Sequence, residues 1–368
     1  LQALTEIALG FGNIFHFPTH LVNVYDVRSP VRLHTGITGS SIIIPSKIPN
    51  VPHVVVKKFF DFSNVNLARL CHRELTILNK MKHENIVRFL IAYTDDTDEE
   101  NVRTLYHITE YCGKSLRQVI NDEDKIKMND VKYIVTQMLR ACKYLNSASV
   151  IYRDLKPDNI FCDDKGKLKL FDFGLARVID RDANMTNQIG EFAYRPIETE
   201  PSWSSNYDEK VDMWSVGAIL CELLTGEAVF GGDGKYLVQV PMMMCGPIED
   251  DVLAMIGNDK MRQMLREKSK SVKRIDFVKY LLDEGRSWLK QEIASNNEYL
   301  RSFIDGTLQF DPDLRMTVDE ALAHPFLAEF YDQSRNDCAG FQVEPEQLLP
   351  ADEVQALEEC KRRIWNEI

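Results

Sequence analysis

The sequence predicts an α+β fold in two lobes, a small strand-rich one followed by a larger helical one, and three observations predict it. At 368 residues the chain exceeds what one hydrophobic core usually supports. Up to about residue 110 its apolar residues fall in β-branched and aromatic runs. Beyond about residue 112 they recur at helical spacing.

The elements follow in order. Ser40–Ile44, Val54–Phe60 and Leu105–Thr109 read as strands. Between them Val65–Met81 reads as a helix, because Leu67, Leu70, Cys71, Leu78 and Met81 form one stripe. Glu74 falls inside that stripe, and a carboxylate on a face that packs inward needs a partner. The acidic segment Thr94–Asn101 reads as a solvated loop. Lys127–Ser147, Asp208–Leu224, Val252–Lys268, Asn297–Leu308 and Val318–Phe330 carry helical periodicity. Internal repeats and low-complexity tracts are missing.

Composition narrows the class. Apolar content of 44% and charged content of 27% are ordinary for a globular protein. A net charge of −12 argues against nucleic acid and anionic membranes as partners, although a local basic patch is compatible with it. The eight cysteines lack CxxC pairs and metal-ligand spacing, which suits reduced thiols. No apolar run reaches the roughly 18 residues that span a bilayer. The chain opens on Leu1 without a secretory signal. A monomer in the cytoplasm, with access to the nucleus, is expected.

Val150–Gly174, reading VIYRDLKPDNIFCDDKGKLKLFDFG, carries the chemistry. Asn159 precedes a short strand, Ile160–Cys162. The turn-rich Asp163–Gly166 leads to a second strand, Leu168–Phe171, which ends at Asp172. A hairpin returns its ends to one place, so Asn159 and Asp172 are expected side by side. An amide oxygen and a carboxylate converging on one point suit Mg²⁺, a hard cation. Asp154, five residues before Asn159, can accept a proton from a substrate hydroxyl. Lys156 can neutralise charge on a transferring phosphoryl group. Alone, each carboxylate would be a cap or turn residue; the joint pattern R-D-x-K-x-x-x-N followed by D-F-G points to phosphoryl transfer.

This stretch resembles the catalytic and metal-binding segments of protein kinases, and the resemblance runs nearly the whole chain. It implies the bilobal protein kinase fold, with ATP and Mg²⁺ as cofactors and proteins as substrates. Lys57 in Val54–Lys58 resembles the lysine that holds the ATP α- and β-phosphates, and Glu74 its ion-pair partner. Thr109 resembles the gatekeeper, and Glu110–Cys112 the hinge that hydrogen-bonds adenine. Asp212, Trp214 and Arg315 match landmarks of the helical lobe, where Arg315 would pair with Glu198. The activation segment Asp172–Glu198 and an insert near 240–280 resemble the CMGC group, most closely MAP kinases. ALEECKRRIWNEI resembles their C-terminal helix, and Phe15–Pro18 with a Thr gatekeeper the stress-activated branch. The implied organisation is an N-terminal extension over 1–25, an N-lobe over 26–111, a C-lobe over 112–333, and an extension over 334–368 that packs back on the N-lobe.

The departures carry information too. The glycine loop reads HTGITGSSI, so only Gly36 and Gly39 remain as its ATP-binding glycines; His34 takes the first position and Ser41 replaces a valine. Weaker ATP binding is implied. Tyr152 replaces the usual His of a stacked spine shared with Leu78, Phe89 and Phe173, a change an aromatic ring tolerates. MAP kinases carry Thr-x-Tyr where this chain has Thr186-Asn187-Gln188. One phosphotyrosine arginine is Phe192, while Arg195 remains. The Thr that bridges the catalytic Asp and Lys is Glu191. Arg73, Arg153 and Arg177 match the clamp on a phosphothreonine, which would be placed by an upstream kinase. Two readings stay open: an active serine/threonine kinase, and a pseudokinase acting as a scaffold or allosteric partner. A metal-dependent phosphatase or nuclease would leave the hinge and gatekeeper pattern without a reason.

Overall fold

The computed structural model describes residues 4–8, 14–35, 39–59, 62, 64–98, 102–122, 126–179, 191–200, 207–230, 239–332, 334, 338–347, 349–350 and 352–368. They fall into two compact units. One runs to Cys112 and also takes Asp172–Gly174 and Glu346–Ile368; the other holds Gly113–Phe171 and Leu175–Pro345.

The first unit is built on strands. β1 (Leu4–Ala8) and β2 (Ile14–Pro18) form an antiparallel hairpin, followed by one turn of helix, α1 (Thr19–Val22). β3 (Val31–Thr35), β4 (Gly39–Ile48), β5 (Val51–Phe59), β6 (Phe89–Tyr93) and β7 (Leu105–Glu110) make a five-stranded antiparallel sheet in the order β3-β4-β5-β7-β6. Side chains alternate across a strand, so Ile42, Ile44, Val54 and Val56 enter one core with Phe15 and Phe17. The same period turns Lys57 and Phe59 to the other face, where α2 (Val65–Lys80) packs. α2 starts where the Asn64 side chain accepts from the amides of Asn66 and Leu67. Its buried face holds Ala68, Cys71, Glu74, Leu75, Ile77 and Leu78.

One expectation for this unit needs correction. The described part of Thr94–Asn101 is tied down rather than freely solvated. Asp96 accepts from the amides of Arg103 and Thr104 at 2.7 and 3.0 Å, and Asp95 from the Tyr106 hydroxyl at 3.2 Å. These carboxylates organise the return from β6 to β7, which acidity alone could not reveal.

The second unit is mainly helical. A small sheet, β11-β10-β8, is made by β8 (Lys114–Ser115), β10 (Ile160–Cys162) and β11 (Leu168–Leu170); β9 (Val150–Ile151) pairs with β12 (Arg177–Val178). The helices are α3 (Leu116–Asn121), α4 (Met128–Ser147), α5 (Lys210–Thr225), α6 (Gln239–Cys245), α7 (Asp250–Ala254), α8 (Asp259–Ser271), α9 (Phe277–Glu284), α10 (Lys290–Ser295), α11 (Asn297–Thr307) and α12 (Val318–Leu322). Two predicted helices are broken. Val252–Lys268 divides into α7 and α8, because the Asn258 side chain accepts the Met261 amide and restarts the helix. Val318–Phe330 stops at Leu322, and a 3-10 segment, Pro325–Phe330, follows, since Pro325 has no N–H to continue an α-helix.

The last helix, α13 (Glu353–Glu367), belongs to the first unit and lies against α2. Cys360 and Ile364 share a core with Phe59, Phe62, Ala68, Cys71 and Leu75. Ile364→Ala should therefore destabilise this unit by about 2–5 kcal/mol, the usual cost of emptying a packed site. Val354→Ala, at an exposed position of the same helix, should leave thermal unfolding within about 0.5 kcal/mol of the parent.

Candidate active site

In the β-rich unit the sequence places an ammonium among carboxylates. Lys57 Nζ donates to Glu74 Oε1 at 3.1 Å, to Glu74 Oε2 at 2.8 Å and to Asp172 Oδ1 at 3.2 Å. The lysine comes from β5 and the glutamate from the buried face of α2, so the carboxylate in the apolar stripe has its partner. Burial would raise the Glu74 pKa, but the charge of Lys57 and the nearby His107 ring outweigh it and hold the group down at about 2. Burial would likewise depress Lys57; Asp172 and Glu74 reverse that and keep it well above its ordinary value. Asp172 sits at φ 51°, a left-handed conformation that Asp tolerates better than most residues. A Cβ on Gly174 would lie 3.3 Å from both the Glu74 and Asp172 carboxylates, so the backbone there runs close beside the cluster.

The gatekeeper and hinge candidates lie on β7 and its exit. Thr109 is buried and pairs across to Val55 and Phe89. The Glu110 amide donates to the Arg88 carbonyl at 3.1 Å, and the Glu110 carboxylate accepts from the Arg88 amide at 2.7 Å. Cys112 is buried. Gly39 has a structural reason to be glycine, since a Cβ there would collide with the Lys58 backbone. Gly36 lies outside the described residues.

The helical unit assembles the second group. Asn159 Nδ2 donates to the Asp154 carbonyl at 3.0 Å and to its carboxylate at 2.6 Å, and Lys156 Nζ lies 3.3 Å from Asp154 Oδ2. The predicted hairpin exists, with Ile160 opposite Leu170 and the Phe171 amide donating to the Asn159 carbonyl at 2.9 Å. The Asn159 amide nitrogen is committed to Asp154, so its amide oxygen is the atom it can offer a cation. An amide oxygen of this kind suits a hard divalent ion, and so, in the β-rich unit, does the carboxylate of Asp172.

Asp212 holds this loop. Its buried carboxylate accepts the amides of Tyr152 at 2.9 Å and Arg153 at 2.8 Å, and Arg153 adopts φ 68°. Burial raises the Asp212 pKa to about 6, against the pull of those two amides. Tyr152 is fully buried, and its hydroxyl donates to the Phe171 carbonyl, so the replacement of His fills its space and satisfies its polar end. Glu191 brings its carboxylate to 3.8 Å from Lys156.

The regulatory candidates are engaged in other ways than a waiting phosphate clamp. Arg73 donates to Glu346 at 2.7 Å, and Arg69 lies 3.9 Å from the same carboxylate. Arg153 donates to the Tyr207 hydroxyl at 2.7 Å and the Leu175 carbonyl at 2.8 Å. Arg177 is half-buried on β12, paired with Ile151. Thr186, with Asn187 and Gln188, lies outside the described residues. The Arg195 guanidinium stacks 3.9 Å over the Phe192 ring and pairs with Glu200. Arg315 and Glu198 pair at 2.6 Å with both side chains buried.

Sequence reasoning missed His107 and Glu346. A His within the otherwise apolar run of β7, directly opposite Lys57, was a readable signal for the first. Nothing local marks Glu346, which meets α2 only through the fold.

Residues 43–327 match the family model described as the protein kinase domain. The chain is 34% identical over 334 residues to mitogen-activated protein kinase pmk-3 of Caenorhabditis elegans, covering 86% of this chain and 66% of that protein. It is 33% identical over 322 residues to mitogen-activated protein kinase pmk-1 of the same organism, covering 86% and 78%. With mitogen-activated protein kinase 13 of Homo sapiens it shares 30% over 345 residues, covering 92% and 88%.

The buried ionisable groups set a pH dependence. Burial lowers His72 to about 4 from 6.5, and the Lys57 pairing lowers Glu74 to about 2 from 4.5. In both cases the unfolded chain binds more protons as pH falls, so stability is lost: for His72 between about 6.5 and 4, for Glu74 between about 4.5 and 2. Asp212 acts in the opposite sense between about 6 and 3.8. Thermal unfolding followed from pH 7 down to 4.5 should show a midpoint that falls to about pH 6 and then levels as Asp212 offsets His72, and His72→Gln should remove the fall and leave a rise below about pH 6.

Proposed function

The chain belongs to the protein kinase family, as a divergent MAP kinase most like the stress-activated branch, and we propose that it is an active serine/threonine kinase that transfers the ATP γ-phosphate to a protein hydroxyl. The observation that carries this reading is the half-buried Lys57 ammonium paired with the buried Glu74, with Asp172 on the same ammonium. Glu74 alone would satisfy the ammonium; the second carboxylate, from Asp172, supports a lysine placed beside a metal-binding group.

In this reading Lys57, held by Glu74, binds the α- and β-phosphates, Thr109, Glu110 and Cys112 serve the adenine end, and Gly36 and Gly39 are the glycines of the phosphate loop. Asn159 and Asp172 would hold Mg²⁺, which when bound would offset the negative charge of the phosphates. Asp154 orients the acceptor hydroxyl and takes its proton; the Asn159 amide fixes the carboxylate that does so. Lys156, paired with Asp154, counters charge on the phosphoryl oxygens. Arg195 already has the Phe192 face and Glu200 as partners, which supports a switch that has lost its phosphotyrosine half. Phosphorylation of Thr186 alone, or none at all, then suffices for the active state. A phosphate on Thr186 would compete with Glu346 for Arg73.

One observation favours the pseudokinase instead: Glu191 places a carboxylate beside Lys156 where a threonine hydroxyl is usual, drawing charge away from the transfer site. Two measurements separate the readings. Millimolar Mg-ATP should raise the melting temperature, because a ligand that binds only the folded state stabilises it. A shift with a hinge-binding inhibitor but none with Mg-ATP would establish the pseudokinase. Asp154→Ala should lower turnover by about 10²–10⁴-fold while leaving Mg-ATP binding nearly intact. Thr186→Ala with unchanged turnover, together with a silent Arg177→Ala, would overturn the single-phosphate switch.

A further inference from the structure

His107 is 1% exposed, and neither ring nitrogen has a hydrogen-bond partner among the described residues. Its ring stands edge-on between Phe59, at 4.7 Å between centroids, and Phe89, at 5.7 Å. On β7 it pairs with Lys57 of β5 and with Ala92 of β6. Its Nδ1 lies 3.8 Å from Glu74 Oε1, just beyond hydrogen-bond reach. The charged and titratable groups around it are Lys57 from β5, Glu74 and Cys71 from α2, and Asp172.

An imidazole buried between two phenyl rings without a partner is a liability that a leucine would avoid. Its use follows from the bonds of Lys57. The ammonium has three donors, and three carboxylate oxygens occupy them: Glu74 Oε1, Glu74 Oε2 and Asp172 Oδ1. Holding both the α- and the β-phosphate takes two of the three: the bond to Asp172, the longest at 3.2 Å and made to a carboxylate assigned to Mg²⁺ above, supplies one, and one of the bonds to Glu74 must supply the other. Of the two bonds to Glu74, the longer goes to Oε1, the oxygen that faces His107. Released without a replacement, Oε1 would be a buried and unsatisfied charged atom. Closing 3.8 Å to hydrogen-bond length takes a movement of about 1 Å.

We propose that His107 is a positioning residue, a reserve donor whose ring N–H takes Glu74 Oε1 when Lys57 turns to a nucleotide phosphate. The imidazole does this in its neutral form, which burial favours, through the tautomer with its proton on the nitrogen facing Glu74. Glu74 thus keeps two donors throughout, and α2 need not shift away as the phosphate binds. The inference rests on the reading of Lys57 as the phosphate-holding lysine.

The test compares His107→Leu, which fits the site but cannot donate, with His107→Gln, which can. The probes are Mg-ATP and adenosine, which shares the base and ribose but lacks phosphates. His107→Leu should melt at or above the parent temperature, bind Mg-ATP about tenfold more weakly, and bind adenosine unchanged. His107→Gln should restore Mg-ATP binding. If the leucine variant does not fold, His107→Met carries the same comparison. Parent-like Mg-ATP binding by the apolar variant, or equal losses for Mg-ATP and adenosine, would overturn the proposal and leave the assignment of Lys57 standing. A parent protein that binds Mg-ATP no better than adenosine, with Lys57→Met unchanged, would instead remove that assignment, and this inference with it.

Discussion

The β-rich unit depends on one constraint: a carboxylate, Glu74, that the apolar face of α2 forces into the interior. A buried ion is tolerable only when its partner meets it with good geometry, and here Lys57 makes two bonds to it. The rest of the unit follows from bringing those two groups together. The period of β5 turns Lys57 toward α2, and Gly174 lets the backbone pass beside the pair. α13 closes the core that α2 shares with Phe59, through Cys360 and Ile364.

The helical unit solves a related problem with a different device. Asp154 must present a carboxylate from a loop, and loops hold position poorly. Asp212 fixes the loop by accepting two consecutive amides, and the left-handed backbone of Arg153 is what allows both to point at it. The strain is local and is offset by two charge-assisted hydrogen bonds in a dry site. The buried Arg315–Glu198 pair likewise holds the 3-10 turn that carries Glu198.

Much of this was legible in the sequence because it is local. R-D-x-K-x-x-x-N and D-F-G are short segments whose spacing implies a hairpin, and the hairpin is there. Glu74 was conspicuous because it broke an apolar stripe. What could not be read came from contacts between distant segments or from small breaks in periodicity. Asn258 and Pro325 each interrupt a pattern that looks continuous in apolar residues alone. The carboxylates of Asp95 and Asp96 look like solvated charges until the strands they join are in place. Arg73 looked available for a phosphate; its actual partner, Glu346, is 273 residues away.

That last contact changes what kind of event can set the position of α2. Glu346 is joined to α13 by a short stretch of chain, and α13 is packed on α2, so its carboxylate meets Arg73 as a tethered ligand. Short tethers give local concentrations on the order of millimolar or more. A carboxylate held at such a concentration keeps Arg73 occupied in the absence of any other anion. An incoming group must then displace a resident rather than fill a vacancy, and its effect is graded by how much better than Glu346 it binds.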